Sequence, residues 1–321
     1  GTLWKVPVAR VLLNFARVIP VHRRADGATE GANDGMFSSA VESLRAGGVS
    51  ALAIAFHLLL WPAAACAGLV FLGGGGSVRA VFNRRETQLL VLAALGGYGF
   101  WTLRMLALDA GAVSPVRVLF CSVPLMMALM SLLGNEKADA RALRGLVLGF
   151  AGCLALIAAG TESLWAGPVQ GKLWAFGSAV CWAVFAVTAR PVVREERVLP
   201  IVSLVLGIGV LCVGVTCLSR GENPFQLRPA QLRTAAVAGL LTVGLMTGAW
   251  LKCLAGTPVA QAGVFWYVAP LFGIVAGWRH RPGLDLGWAL AGTVLIILAL
   301  RTVLRRRKRA RLTMGDLIRS G

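Results

Sequence analysis

The sequence predicts an all-α integral membrane protein of about nine transmembrane helices, arranged as an inverted repeat and preceded by a short, incomplete segment. Three observations predict it. Hydrophobic residues fill 57% of the 321 positions against 14% charged, and mean hydropathy is +0.74, a composition outside the range of soluble domains. The apolar residues gather in runs of about 20, the length a helix needs to cross a bilayer while satisfying its own backbone polar groups. A pattern in the first half also returns in the second after about 142 to 146 residues, the scale on which membrane repeats are recognised.

Taken in order, the runs place spans at 51–72, 88–108, 112–133, 143–160, 173–190, 199–218, 234–254, 258–278 and 285–304. The stretches between them carry glycine, proline and charge: GGGGSVRAVFNRRE, NEKADAR, TESLWAGPVQG, ARPVVREER, SRGENPFQLRPAQLR and WRHRPGLD. Gly73 to Gly76 lack the Lys-Ser/Thr that a phosphate cradle requires and read as a flexible link. Residues 1–20 carry Lys5, Arg10 and Arg17, so no secretory signal is expected there and insertion relies on an internal span.

The net charge of +18 does not point to nucleic acid. Lys and Arg stand at the ends of the apolar runs and are densest at Arg305-Arg306-Arg307-Lys308-Arg309, as in a protein anchored by its cytoplasmic loops. With that tail in the cytoplasm, nine alternations also put Arg79/Arg84/Arg85, Lys137/Arg141/Arg144 and Arg190/Arg194/Arg197 inside. Arg220/Arg228/Arg233, Arg279/Arg281 and residues 1–48 then fall outside. A bacterial inner membrane is the expected location. The seven cysteines all lie in apolar runs, without CxxC or Cys/His metal spacing, and read as small core residues. No metal or other cofactor is expected.

LDAGAVSPVRVLFCSVPLMMALM (108–130) lies over LAGTPVAQAGVFWYVAPLFGIVA (254–276), matching Leu108 to Leu254, Val113 to Val259 and Pro124-Leu125 to Pro270-Leu271. Gly145 then matches Gly287 across a small gap. Four spans fall in the first half and five in the second. A unit with an odd number of helices must be inverted on repetition, the architecture that permits alternating access around a midplane site. The helix that would match residues 174–192 should begin near position 30, where the chain reads EGANDGM.

Residues 51–304 resemble the drug/metabolite transporter superfamily of the EamA type. The likeness rests on GGYGFWTLRMLAL (96–108), the Ala112-to-Pro124 segment, the Gly134-Asn135-Glu136 turn and the Trp-Tyr-Val-Ala-Pro-Leu run at 266–271. The resemblance implies ten helices in two inverted five-helix repeats, moving small metabolites or drugs. Here the repeats would be 51–160, lacking its first helix, and 170–304, followed by a basic cytoplasmic tail at 305–321. The second copy of the Gly-Glu turn is replaced by Arg279-His280-Arg281-Pro282.

Residues 1–48 resemble an internal fragment of a glycerolipid acyltransferase of the 1-acylglycerol-3-phosphate type, through LWKVPVARVLLNFARVIPVHRR and DGATEGANDGMFSSAVESLRAGG. The likeness would make Arg23 or Arg24 a phosphate ligand. That family's His-x4-Asp is not among these residues: His22 and Asp26 are spaced one residue short, and Val-Ser-Ala-Leu stands where Phe-Pro-Glu-Gly should follow Gly48. The segment is expected not to fold independently, and no enzyme activity or catalytic residue is assigned. A membrane-anchored acyltransferase relative, or an inactive fusion of the two, is the competing expectation.

Ionisable residues inside spans are costly and prompt functional hypotheses. Arg117 precedes Pro124 by two helical turns and should share its face. It either holds an anionic substrate or snorkels to the outer surface. Snorkelling is expected of Arg104 and Lys252, capping or exposure of Asp109, and of His57 an internal bond in preference to a proton relay. Tyr98, Trp101, Trp182, Trp250, Trp266 and Tyr267 are the aromatic candidates for a small-molecule site. Trp165 and Trp174 read as an interfacial belt, and Gly96, Gly97, Gly99, Gly145, Gly149 and Gly152 as points of close helix approach. The partners expected are the lipid bilayer, a small solute and, to cover the absent helix, a second copy in a homodimer.

Overall fold

The computed structural model describes residues 35–72, 78–133, 139–160, 163–195, 198–267 and 285–319, which contain helices and no strand. In chain order the helices are α1 (Gly35–Ala46), α2 (Ala51–Leu72), α3 (Val78–Leu92), a π-helical stretch (Ala93–Gly99), α4 (Phe100–Asp109), α5 (Val113–Leu133) and α6 (Ala140–Ala158). They continue with α7 (Val169–Glu195), α8 (Val198–Ser219), α9 (Pro229–Ala238), a second π-helical stretch (Gly239–Leu245), α10 (Met246–Gly256), α11 (Val259–Trp266) and α12 (Leu286–Arg319). Eight of the described helical segments are long and apolar enough to cross a membrane. The ninth expected span, 258–278, starts as α11, and its remainder lies outside the described residues.

Two stretches differ from expectation. The connection expected ahead of residue 88 is helical from Val78, and its break is a kink at Arg85 (φ −131°, ψ 24°), where the apolar part begins. The basic tail 305–321 does not leave the last span: its backbone continues α12 unbroken to Arg319. Lys, Arg and Leu are good helix formers, and the tail's proline-free sequence gives the backbone no reason to stop. Gly73 to Gly76, Arg279 and Arg281 lie outside the described residues.

The repeat is written into the backbone at one constant spacing. The π stretches begin at 93 and 239 and end at 99 and 245, 146 residues apart at both ends. The starts of α5 and α11 (113 and 259) and of α6 and α12 (140 and 286) keep that spacing, so no gap is needed and Gly145 is not the counterpart of Gly287. Asp139 and Asp285, also 146 apart, cap their helices in the same way. Each carboxylate accepts backbone N–H bonds at a helix start, from Arg141 at 3.2 Å and from Gly287 and Trp288 at 2.9 and 3.2 Å.

Packing is reciprocal too. A Cβ at Gly97, in the first π stretch, would fall on Val205 O of α8. One at Gly239, in the second, would lie 2.8 Å from Leu58 O of α2, and one at Gly244 would lie 2.7 Å from Pro62 Cβ. The widened π turn and the absent side chains let each stretch lie against the other repeat's helix, backbone to backbone. Gly152 and Gly292 meet in the same way where α6 packs on α12, and Gly149 receives the ring of Tyr267. Because α8 lies five crossings after its counterpart α2, an odd number, the two run in opposite directions through the bilayer.

Polar contacts gather one end of the bundle. Arg45 of α1 donates to Leu108 O (2.7 Å) and pairs with Asp109 (3.2 Å) at the end of α4. Ser50 donates to Glu222 (2.6 Å), Gln231 to Gly47 O (3.0 Å), and the Asp285 N–H to Ala159 O (3.1 Å). Gly111 takes a left-handed φ of 79° in the tight turn that sends the chain back into α5. Helix α1 belongs to this end: Ala40, Val41 and Leu44 are buried in the same apolar cluster as α2, α4, α7 and α8.

Candidate functional site

Five helices bring aromatic rings together between the two halves. Phe100 and Trp101 come from α4, Phe120 from α5, Trp182 and Phe185 from α7, Trp250 from α10 and Trp266 from α11. Ring centroids link Trp101 to Phe100 (4.8 Å), Phe100 to Trp182 (4.5 Å), Trp182 to Phe185 (5.1 Å) and to Trp266 (5.7 Å), and Trp266 to Trp250 (5.1 Å) and to Phe120 (4.7 Å). All these spacings fall in the range of favourable tilted and edge contacts.

The cluster obeys the repeat. Phe120 and Trp266 stand 146 positions apart in the sequence, 120 to 266, and touch one another across the two units. Arg104 and Trp250 are likewise counterparts, 104 to 250. The Arg104 guanidinium lies 4.3 Å from the Phe120 centroid, and the Trp250 ring lies 5.1 Å from that of Trp266. The same place against the counterpart ring is therefore held by a cation in one half and by an indole in the other. The site is symmetric in frame and asymmetric in charge.

Arg104, expected to snorkel, is buried, with 4% of its surface exposed. It ends up inside because its helix faces α5, where the Phe120 face offers the cation a partner. Arg117 is 3% exposed, so its alternative of reaching the surface is not realised; it shares the buried face of α5 with Pro124. Among the described residues its Nε and Nη2 have no hydrogen-bond partner, nor do the indole N–H groups of Trp182, Trp250 and Trp266. The buried charged residues described are Arg104 and Arg117, with no carboxylate among them. Both lie roughly 6–8 Å along their helices from the α4–α5 turn, at one depth.

Other expected site residues go elsewhere. Tyr98 sits in the π stretch and hydrogen-bonds Thr216 of α8 at 3.0 Å. Tyr267 is fully buried against Gly149 and packs with Cys121, Cys153 and Ile296, between α6 and α12. His57 bonds Pro224 O at 2.8 Å through Nε2, the internal role expected of it. Lys252 is exposed, and Asp109 is exposed with Arg45 as its ion pair. Arg23 and Arg24 lie outside the described residues. Phe100, Phe120 and Phe185 were not anticipated. The repeat alignment already set Phe120 over Trp266, and that signal could have found it; nothing local marks Phe100 or Phe185 as facing inward.

Residues 169–305 match the EamA-like transporter family. That stretch is the second repeat, from the start of α7 into α12. Together with the apolar spans, the match describes an integral membrane protein whose second half is similar to EamA-like transporters. Among solved structures 27 chains match, and one crystal structure aligns with a TM-score of 0.69 over 86% of this chain and 94% of its own, at 20% identity. At that identity the likeness speaks to the fold alone. No curated protein matches the chain. The acyltransferase resemblance of residues 1–48 finds no support in any of the three comparisons.

Proposed function

We propose that this protein carries a small solute across the membrane by alternating access, with the aromatic cluster as its solute site. The single observation that supports the reading most is the Phe120–Trp266 contact, in which equivalent residues of the two inverted repeats meet. A solute held there would be released to either side when one repeat rocks against the other. Trp101, Trp182, Trp250 and Trp266 supply flat surfaces with N–H edges, and Arg117 a cation. The chain enters the membrane with the α3 start, the α5–α6 turn, the α7–α8 turn and the α12 end on the cytoplasmic side, where its basic residues concentrate.

Uptake into proteoliposomes of radiolabelled tryptophan, phenylalanine and indole-3-acetate tests the reading. Counterflow of at least one probe is expected above protein-free vesicles. It should be lost in Trp182→Ala and Trp266→Ala and kept in Trp165→Ala, whose ring lies outside the cluster. Absence of counterflow for all three probes, or equal loss in all three variants, would overturn it. We further propose a homodimer in which a second copy covers the open face of α10. A Leu245→Cys variant in native membranes should then give a bismaleimide-linked dimer, and a product confined to monomer refutes the pairing.

A further inference from the structure

We infer that the solute is an organic anion: a flat ring that lies in the tryptophan cluster, with an acidic group, a carboxylate in the simplest case, that reaches Arg117. The inference rests on the transport reading for the site's purpose but on separate observations for its chemistry. Arg117 is more than nine-tenths buried, lies within the α5 span, and leaves two guanidinium nitrogens without a hydrogen-bond partner among the described residues. An arginine in a protein stays charged and cannot shed its proton to escape burial. A buried charge requires an opposite charge and filled hydrogen bonds, or it destabilises the structure heavily.

No buried carboxylate is present among the described residues to supply them, and the second buried cation, Arg104, raises the positive potential at the same depth. The deficit is thus one of negative charge and of acceptors, on the side of the cluster nearer the α4–α5 turn. The three indole N–H groups without partners among the described residues add to it, because an indole nitrogen only donates. Donors in excess, a buried cation without an acid and stacked rings describe the complement of one ligand class. A guanidinium can take a carboxylate through two parallel hydrogen bonds, with Nε and Nη2 forming one edge of that fork.

The ring and the acid must belong to one molecule of fixed reach. Arg117 and Phe120 are three residues apart on α5 and so share a face about 4.5 Å apart along the helix axis. A one- or two-carbon spacer between ring and carboxylate spans that distance. Neutral or cationic aromatic solutes would find the same rings but leave Arg117 uncompensated, which sets the specificity against them.

Binding to wild-type protein in phosphatidylcholine nanodiscs, followed by tryptophan fluorescence and calorimetry, tests this without any variant. Indole-3-acetate, its neutral isostere indole-3-acetamide and the cation tryptamine are the probes. The acid should bind about tenfold or more tightly than the amide, with tryptamine weakest. Arg117→Gln should erase the preference for acid over amide, and Arg117→Lys should restore part of it, with monodisperse elution confirming that each variant is folded. Equal affinity for acid and amide, or a preference that survives Arg117→Gln, would falsify the inference. Loss of indole-3-acetate binding in discs containing phosphatidylglycerol would overturn it in favour of a lipid headgroup. Failure here is separable from failure of the transport reading: uptake of the amide but not the acid defeats only the anion, and tight acid binding without counterflow defeats only transport.

Discussion

Helices α4 and α10 are equivalent parts of the two repeats, yet a face that is covered in one is, among the described residues, exposed in the other. From the end of the first π stretch along α4, helix α7 closes over Gly99, Phe100, Leu103 and Ala107: Ser178 bonds Phe100 O at 3.0 Å, and a Cβ at Gly99 would lie 3.1 Å from Cys181 Sγ. The equivalent positions are Leu245 of the second π stretch and Met246, Ala249 and Cys253 of α10, of which Leu245, Met246 and Ala249 are exposed. Phe100 is 3% exposed and Met246 51%. The neighbouring pair α5 and α11 repeats the contrast, with Leu119 at 8% and its counterpart Phe265 at 36%. The partner that α7 provides for the first repeat has no equivalent among the described residues of the second.

The residues have followed that difference. Where α7 presses close the chain uses glycine, Gly99, and where no described helix arrives the same position is leucine, Leu245. In lipid an exposed leucine carries no penalty, because acyl chains are as apolar as a core. Covered and bare faces therefore look alike in hydropathy and differ only in side-chain size. That explains why the spans were readable while the partners of each face were not.

Substitutions at paired positions would break or sharpen this contrast. Phe100→Ala removes a ring that touches Trp101, Phe120 and Trp182 and should cost about 3 kcal/mol, read as thermal unfolding in detergent. Met246→Ala at the equivalent place should stay within about 0.5 kcal/mol. Similar losses for the two would erase the distinction between the faces. Importing the counterpart's residue, Gly99→Leu, should overpack the α4–α7 contact and cost about 2 kcal/mol. The reverse exchange, Leu245→Gly, should lose only about 1 kcal/mol of helix propensity.

Arg104→Gln removes the cation held over Phe120 and should lower stability by about 1 kcal/mol, whereas Trp250→Phe, its counterpart, keeps an aromatic pair with Trp266 and should lose less. A larger loss for Trp250→Phe would show that the cation does not hold the ring. Smallest of all, Asp109→Asn breaks an ion pair between partly exposed side chains, Arg45 at 34% and Asp109 at 57%, and should cost less than about 1 kcal/mol. A large effect there would mean that α1 is held by this pair rather than by Ala40, Val41 and Leu44.

The sequence by itself determined what is local to one helix. A span must satisfy its own backbone within about 20 residues, so α2 and α8 could be read from hydropathy to within a residue or two, and the repeat spacing from Leu108, Val113 and Pro124 alone. Only the tertiary structure decided which face of each helix meets which neighbour. Tyr98 turned to α8 and Tyr267 to α6, while Arg104, expected at the surface, turned inward onto Phe120. Helix rotation about its axis is set by side chains on other helices, and in a bilayer an apolar face turned to lipid or to protein has nearly the same hydropathy. No single segment carries that information. It resides in the pairing of segments 146 residues apart, which becomes visible as packing once both are folded.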